Sequence, residues 1–334
     1  MTHPTRGREA ATAGRDHPAG APVARGSARI AVDLLGGDGA PAVVVDGALR
    51  ACGADTDLHL LLVGPPEVAG EVLGALAPGD RDRVTVRPVR GAVGMAEAVS
   101  GAKRADTTVR SAAAAVAEGA ADALVSAGPS GATVTAAVLG LGRLPGVRRP
   151  ALATTIPAVA GPVVLLDVGA SVDARPGTLA RHAVLGAGYA AAVHQVEKPR
   201  VGLLSIGTEP GKGDRARRAA DPYLAGHALP GGARYIGLVE GHDVCLGERA
   251  DVVVTDGFTG NVLLKGVEGA YTMLGGPVPG APRGAVLLGV AGTVVVCHGA
   301  AGGADLASGI ALAAHLHRRS VTTEISTLLG VTNG

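Results

Sequence analysis

Residues 121–142 read ADALVSAGPSGATVTAAVLGLG, and this stretch decides the fold class. An apolar run ends in glycine and proline, and an alanine-rich, helix-forming stretch follows at once. Similar units recur at 29–41 (RIAVDLLGGDGAP), 200–214 (RVGLLSIGTEPGKGD) and 250–269 (ADVVVTDGFTGNVLLKGVEG). Continuous apolar strands are buried on both faces, and their alternation with helices indicates crossover connections. The pattern predicts an α/β fold with a mostly parallel, layered sheet.

The composition of the 334-residue chain excludes several classes of protein. Gly and Pro fill 53 and 21 positions without the three-residue period of collagen, and 47% of the residues are hydrophobic. Aromatic residues make up only 1%, and the formal net charge is +1, so nucleic acid is not an expected partner. The three cysteines are widely spaced and include no CxxC pair. We therefore expect no disulfide framework, no metal site and a reducing, cytoplasmic setting.

The chain divides into two predicted regions. Residues 1–28 are rich in Arg, Ala, Gly and Pro and lack the apolar core of a secretory signal, so they are predicted to form a disordered extension. No linker interrupts residues 29–334, which are predicted to form a single domain. The longest apolar stretch, 285–297, is too short and too rich in glycine to cross a bilayer.

Four glycine-rich loops follow predicted strands, at 36–39, 128–131, 207–213 and 257–260. Ligands of such sheets bind at the carboxyl ends of the strands, so function is sought in these loops. In the second loop, the amides at the start of the next helix and the hydroxyl of Ser130 can form a cradle for an anion. A tight turn with Ser130 as a plain N-cap is the structural alternative.

Two loops resemble nucleotide-binding motifs but fit them poorly. The loop with Lys212 fails the Walker A pattern, because Gly213 stands where Ser or Thr binds magnesium. Lys212 can still meet a phosphate or a thioester carbonyl, or it is a solvated loop lysine. Residues 37–42 match the dinucleotide fingerprint weakly, and Asp38 inside the loop would repel a pyrophosphate. A nicotinamide-dependent enzyme stays open as a minor alternative, and no cofactor is expected.

The segment at 256–261, DGFTGN, places a carboxylate, a hydroxyl and an amide at one strand end. Asn261 can donate to a developing oxyanion, and Lys265 lies one turn later on the same helical face. A local capping network is the structural alternative. Asp167 and Asp173 flank another tight turn but offer too few oxygens for a metal cage.

Cys297 and His298 end a predicted strand. Neighbouring residues of a strand point to opposite faces, so Cys297 is predicted to lie in the core. His298 is the candidate for acid–base chemistry or anion binding, with a structural histidine as the alternative. The residues alone thus predict an enzyme with several anion-binding loops and no nucleophilic triad.

Seven stretches, in this order along the chain, resemble the PlsX family of phosphate acyltransferases. They read VDLLGGDGAP, VSAGPSGA, LGRLPGVRRPALATTIP, LLDVGASVDARP, PRVGLLSIGTEPGKG, ADVVVTDGFTGNVLLK and LLGVAGTVVVCHGAA. The resemblance runs from about residue 29 to about residue 308. It implies a three-layer αβα sandwich like that of isocitrate and isopropylmalate dehydrogenases, usually as a homodimer. It also implies transfer of an acyl group from acyl carrier protein, or from CoA, to inorganic phosphate.

The resemblance assigns roles to residues in the loops. The candidate catalytic residues are Lys212, Asp256, Asn261, Lys265 and His298. Asn261 and Lys265 would stabilise the thioester oxyanion with Asp256 orienting them, and His298 would assist the leaving thiolate. The candidates for holding phosphate or phosphopantetheine, together with Lys212, are Gly36, Gly37, Asp38, Ser126, Gly128, Ser130, Gly131, Asp167, Gly169, Ser171, Gly207, Gly213, Thr259 and Gly260.

The chain departs from the family pattern inside these loops. The family's GGDHGP is GGDGAP here, which loses a histidine at Gly39. SAGNTG is SAGPSG, in which Pro129 lacks an amide donor, and GANVD is GASVD, with Ser171 in place of Asn. A basic cluster with two serines is replaced by KRADTT, which supplies Lys103, Arg104, Thr107 and Thr108.

The largest departure lies between residues 269 and 284, where the family carries a long helical hairpin associated with membrane contact and acyl-chain binding. Only the segment 270–283 remains, with GGPVPGAP at its centre, and it is predicted not to form the hairpin. Membrane association and a long-chain tunnel are therefore not expected. The changed loops favour a diverged paralogue, and a role in specialised metabolism is a further hypothesis. The Ala-, Gly- and Arg-rich composition is typical of GC-rich coding. Acyl transfer to another acceptor and an inactive carrier-binding partner stay open as alternatives.

Overall fold

A computed structural model describes residues 26–95, 104–276 and 283–330. The strands are β1 Ala28–Asp33, β2 Leu58–Gly64, β3 Val84–Pro88, β4 Ala123–Ser126, β5 Ala151–Ala158, β6 Gly161–Leu166, β7 Arg200–Leu204, β8 Arg234–Val239, β9 Val252–Val254, β10 Ala285–Leu288 and β11 Thr293–Val296. The helices are α1 Ala42–Ala54, α2 Pro66–Ala75, α3 Pro78–Arg81, α4 Thr108–Ala117, α5 Ser130–Gly140, α6 Pro176–His194, α7 Arg215–Ala225, α8 Gly241–Leu246, α9 Gly257–Met273, α10 Gly303–Arg318 and α11 Val321–Leu328.

All eleven strands belong to one sheet, in the order β3-β2-β1-β4-β11-β10-β5-β6-β9-β7-β8. Its neighbouring strands are parallel except for three consecutive pairs, β11–β10, β10–β5 and β5–β6. The predicted, largely parallel α/β sheet is therefore confirmed.

The three antiparallel pairs reverse the direction of the strands between the two halves of the sheet. The strands β6, β9, β7 and β8 run opposite to β3, β2, β1, β4 and β11. Consequently the loops after β1, β4 and β11 lie at one end of the strands. We call them, with the first residues of α5, the first loop group (residues 34–41, 127–131 and 297–302). The loops after β6, β7 and β9 lie at the opposite end of the strands. With the first residues of α9, they form the second loop group (residues 167–175, 205–214 and 255–261).

Alternate residues of single strands enter two different cores. Ile30 and Val32 of β1 pack in a cluster with residues of α1, α6 and α10, while Ala31 between them packs with residues of α4. A sheet with helices over both faces buries its strands on both sides, which accounts for their continuous apolar sequences. The predicted three-layer αβα sandwich is confirmed.

Two predicted segments fall partly outside the described residues. Of the predicted extension, residues 1–25 lie outside them, and β1 begins at Ala28. In the shortened segment, α9 continues to Met273, and residues 277–282 lie outside the described part. No helix of the described ranges is long and apolar enough to span a bilayer.

Candidate active site

A buried carboxyl group fastens two loops of the first loop group. Asp33, at the end of β1, accepts a hydrogen bond of 2.7 Å from the hydroxyl of Ser126, at the end of the neighbouring β4. The Ser126 Oγ accepts in turn from the amide of Gly128 at 3.0 Å. Burial raises the pKa of Asp33 above its ordinary value. The loops lie so close that a Cβ on Gly36 would be 2.7 Å from the amide nitrogen of Gly128.

The start of α5 offers free donors to an anion. Pro129 is the N-cap, and Ser130 is the first helical residue and makes no capping hydrogen bond, so the alternative role of Ser130 as a plain N-cap is wrong. The amides of Ala132 and Thr133 donate to the carbonyl of Pro129. The amides of Ser130 and Gly131 have no acceptor within the helix. Together with the half-buried Ser130 hydroxyl, they form a cradle suited to phosphate.

Lys265 and His298 meet although they come from opposite halves of the sheet. The Lys265 Nζ atom, on α9, lies 2.7 Å from the His298 Nε2 atom, in the loop after β11. A contact of this length is a hydrogen bond between the two nitrogens, and the tautomer of His298 decides which of them donates. The amide of Ala300 donates to the opposite ring nitrogen, Nδ1, at 3.2 Å and fixes the ring. Both side chains are exposed, so the pair is open to a ligand.

The loop that carries His298 is tied to the rest of the first loop group. The amide of Asp38 donates to the carbonyl of Gly299 at 2.8 Å, and the amide of Cys297 donates to the carbonyl of Ser126 at 2.9 Å. Cys297 itself is 2% exposed, as predicted for a core residue, and burial raises its pKa to about 12. The pair of Lys265 and His298 therefore lies beside the loops of β1 and β4.

In the second loop group, the Asp167 carboxylate organises the backbone rather than facing solvent. Its Oδ1 accepts from the amides of Leu152, Gly169 and Ala170, and its Oδ2 accepts from the amide of Ser171. These distances are 2.8 to 3.0 Å, and Asp167 is fully buried. We conclude that Asp167 shapes a ligand loop without offering its own oxygens to a ligand.

The first turn of α9 is pressed against this loop. The amide of Gly257 donates to the carbonyl of Ser171 at 2.8 Å, and the Asn261 Nδ2 donates to the carbonyl of Val168 at 3.0 Å. A Cβ on Gly260 would lie 2.0 Å from the carbonyl oxygen of Asp167. Asn261 thus donates one hydrogen of its side-chain amide to the loop, and the second amide hydrogen can be donated to a ligand.

A buried arginine links the loops after β7 and β9. The Arg217 Nη2 donates to the Asp256 Oδ2 at 2.7 Å and to the hydroxyl of Thr255 at 2.8 Å. Asp256 is the N-cap of α9 and accepts from both the amide and the hydroxyl of Thr259 at 2.8 Å. Burial alone would raise the pKa of Asp256, but these hydrogen bonds hold it below its ordinary value.

Lys212 lies on the loop after β7. Its side chain is exposed, and a Cβ on Gly207 would lie 3.3 Å from its Cγ. Gly213, at φ +90°, packs against Arg217, which connects this loop to Asp256. Among the described residues, no hydrogen bond joins Lys212 to Lys265 or His298, and its loop is linked to the other catalytic candidates through Arg217 and Asp256.

Two organising residues escaped the sequence analysis. Asp33 carries one signal, since a carboxylate that ends an apolar strand is unusual, whereas Arg217 in RARRAAD is one of three arginines in a polar stretch. Thr108 is buried at the start of α4, while Lys103 lies outside the described residues. In the described ranges, no group of three His, Cys, Asp or Glu side chains could hold a metal ion.

Neutralising Asp256 is expected to lower stability in a pH-dependent way. Asp256→Asn keeps an oxygen for the Thr259 amide but leaves Arg217 with one carboxylate fewer, so we expect a loss of about 2 kcal/mol at pH 7. The Asp256 pKa is lower in the folded protein than in the unfolded chain. Its charge therefore stabilises the fold fully above about pH 4 and less as the pH falls further.

Urea unfolding at pH 7 and at pH 3.5 measures this effect. The difference between wild type and Asp256→Asn should shrink at the lower pH. Asp82→Asn, at an exposed position, is the control and should change little at either pH. A difference that stays constant with pH would contradict the charged role of Asp256.

Comparison with known proteins relates this architecture to a family. The family described as "Fatty acid synthesis protein" matches residues 28–276. A phosphate acyltransferase of Thermobifida fusca is 40% identical over 331 residues, which cover 89% of this chain and 89% of that protein. A phosphate acyltransferase of Desulfitobacterium hafniense is 44% identical over 243 residues, which cover 72% of this chain and 70% of that protein.

Solved structures share the fold at low sequence identity. A phosphotransacetylase from Streptococcus pyogenes superimposes with a TM-score of 0.61 at 16% identity, covering 87% of this chain and 94% of its own. A 4-hydroxythreonine-4-phosphate dehydrogenase from Klebsiella pneumoniae gives a TM-score of 0.52 at 15% identity, covering 87% and 98%. These likenesses concern the fold alone, and they agree with the predicted dehydrogenase-type architecture. With its motifs in order and 40% identity to a relative over most of both chains, the protein is an acyltransferase and belongs to the PlsX family of phosphate acyltransferases.

Proposed function

We propose that the protein transfers an acyl group from the thioester of an acyl carrier protein to inorganic phosphate. The products are an acyl phosphate and the carrier with a free thiol. The observation that carries the proposal is the 2.7 Å contact between Lys265 and His298, which joins the two halves of the sheet beside the anion cradle of α5. Membership of a phosphate acyltransferase family supports the choice of phosphate as acceptor.

Phosphate is itself the nucleophile in this reaction, so no activated serine or cysteine is required. A phosphate oxygen forms a bond to the thioester carbon, and the carbon–sulfur bond breaks. The electron pair of that bond leaves with sulfur, and the thiolate takes up a proton. What remains for the protein is to position two anionic groups and to stabilise the negative oxygen of the intermediate.

The first loop group is suited to hold the phosphate. The amides of Ser130 and Gly131 and the hydroxyl of Ser130 are donors at a helix start, where the dipole favours an anion. The first turn of α5 holds no acidic residue. Pro129 lowers the number of amide donors relative to the family pattern but leaves these two in place.

The pair of Lys265 and His298 is suited to act on the thioester. The Lys265 amino group can donate to the carbonyl oxygen as negative charge develops on it, and the second amide hydrogen of Asn261, one turn earlier on α9, can add a donor. His298 can carry the proton lost by the attacking hydrogen phosphate to the leaving thiolate. Asp256 acts indirectly, since it caps the helix that carries Asn261 and Lys265.

The shortened segment after α9 supports a substrate with a short or unusual acyl group. Met273 ends α9, and both Met273 and the following Leu274 are exposed. We propose a diverged paralogue, with a role in specialised metabolism, that works as a homodimer. Light scattering at assay concentration measures the assembly.

The proposed function is tested by thiol release from a panel of acyl-carrier and acyl-CoA thioesters of increasing chain length, with and without phosphate. Hydroxylamine traps any acyl phosphate as a hydroxamate. Phosphate-dependent release with trapped hydroxamate supports the proposal, and the preferred chain length identifies the acyl group. Thiol release that is independent of phosphate would indicate another acceptor, and no release from any thioester would leave a role in carrier binding.

A further inference from the structure

Five arginines form a patch on two neighbouring segments, and we call it the arginine patch. Arg143, Arg148 and Arg149 lie on the connection from α5 to β5, and Arg175 and Arg181 lie at the start of α6. The two segments touch, because the His182 Nε2 lies 3.2 Å from the carbonyl oxygen of Arg149. A Cβ on Gly146 would likewise lie 3.3 Å from the Arg181 Nη2.

Among the described residues, no carboxylate forms an ion pair with the arginine patch. Elsewhere in the described chain many arginines pair with carboxylates, as Arg200 does with Asp251 and Arg318 with Asp55. None of the five patch arginines forms such a pair with a described residue. Only two carboxylates occur between residues 143 and 181. One of them, Asp167, is buried and accepts hydrogen bonds from backbone amides. Five like charges gathered in this way favour an external anion.

The arginine patch borders the second loop group. Leu152, three residues after Arg149, donates its amide to the Asp167 Oδ1. Arg175 follows the loop that contains Ser171, and Ser171 accepts from the first amide of α9. A partner seated on the arginine patch would therefore stand beside the helix that carries Asn261 and Lys265.

We propose that the arginine patch docks an acidic face of the acyl carrier protein, a proposal that rests on the proposed function of the site. The charges span two chain segments, and four of the five side chains are exposed. Such an extended, exposed patch is better suited to bind the surface of a protein than a single phosphate group. A second copy of this chain presenting the same arginine patch is opposed by repulsion between like charges. Docking here delivers the phosphopantetheine arm to α9 and fixes its direction of entry.

The test reverses two charges with the variant Arg148→Glu/Arg149→Glu. Both side chains are exposed, and the Arg149 group that contacts His182 is a backbone carbonyl, so folding should be kept. We expect KM for the acyl-carrier thioester to rise about tenfold or more at low salt, with kcat little changed and a flatter dependence on salt. Turnover of an acyl N-acetylcysteamine thioester, which carries no charge and no protein, should stay the same.

The matched control is Arg234→Glu, at an exposed position at the beginning of β8. It should leave both donors unaffected. The proposal is overturned if the patch variant keeps the wild-type KM for the carrier, if it loses both donors equally, or if Arg234→Glu has the same effect. A KM rise confined to acyl-CoA would also overturn it, since the patch would then recognise phosphates rather than a protein.

Failure of the proposed function leaves a separate outcome. If the wild type turns over no thioester, binding of the fluorescently labelled carrier protein is measured directly by anisotropy. Binding to wild type that is lost in Arg148→Glu/Arg149→Glu supports the docking surface even without catalysis. Equal binding to both proteins, or to neither, overturns it.

Discussion

Gly260→Ala is expected to destabilise the protein by about 3 kcal/mol, because the added methyl group meets main-chain atoms that have no room to move. A Cβ at this position would lie 2.0 Å from the carbonyl oxygen of Asp167 and 2.8 Å from the Thr255 Cγ2. The Asp167 loop is held in turn by four amide hydrogen bonds. Relief of the clash must therefore move either that loop or the start of α9.

Gly266→Ala in the same helix is the matched control. In the described part of the chain, and apart from its own helix backbone and chain neighbours, nothing lies within 4 Å of the Cβ that it would add. Since alanine is the better helix former, we expect this variant to gain roughly 0.5 kcal/mol. Thermal and urea unfolding of both variants measure the difference, and equal stability of the two would contradict the close packing of α9 against the Asp167 loop.

Lys265→Met is expected to lower kcat roughly a hundredfold or more, because it removes a positioned donor to the developing oxyanion. The same change removes the Lys265 Nζ atom, which lies 2.7 Å from the His298 Nε2 atom. The exposed position predicts a folded variant, so circular dichroism and the melting temperature should match wild type. Lys198→Met, at another exposed lysine, is the control and should retain full activity.

A double-mutant cycle tests whether Lys265 and His298 act together. His298→Gln should also reduce kcat, and the variant with both changes should be little worse than the poorer single variant, because the two residues are in direct contact. Losses that simply multiply would mean that the two act independently. Single losses of less than about threefold would remove the pair from the chemistry altogether.

The sequence was sufficient for the parts of the fold that depend on local patterns. Apolar runs such as 123–126 and 252–254 became buried strands, and the glycine-rich stretches after them became loops that precede helices. Cys297 lies in the core, as predicted. Two of the candidate catalytic residues, Lys265 and His298, are in contact, and their catalytic roles stay predictions. The family motifs were specific enough to fix the family from this chain alone.

The relations between distant segments could not be predicted in the same way. Reversal of strand direction depends on how β10 and β5 pair, and each alone is an ordinary apolar run. The role of Arg217 depends on the carboxylate of Asp256, 39 residues later, which only the tertiary fold brings to the guanidinium.

In helix α9, the candidate reacting residues lie before the last turn, and the end of the helix leads into the segment that the family pattern associates with the acyl chain. Its three buried residues, Gly257, Gly260 and Val267, all come before its last turn, and Lys265 lies among them. The chain beyond Met273 can therefore lengthen or shorten over generations without displacing that lysine. Substitutions that adapt the protein to a new acyl group can therefore occur at the C-terminal end of the helix and leave the reacting groups unchanged.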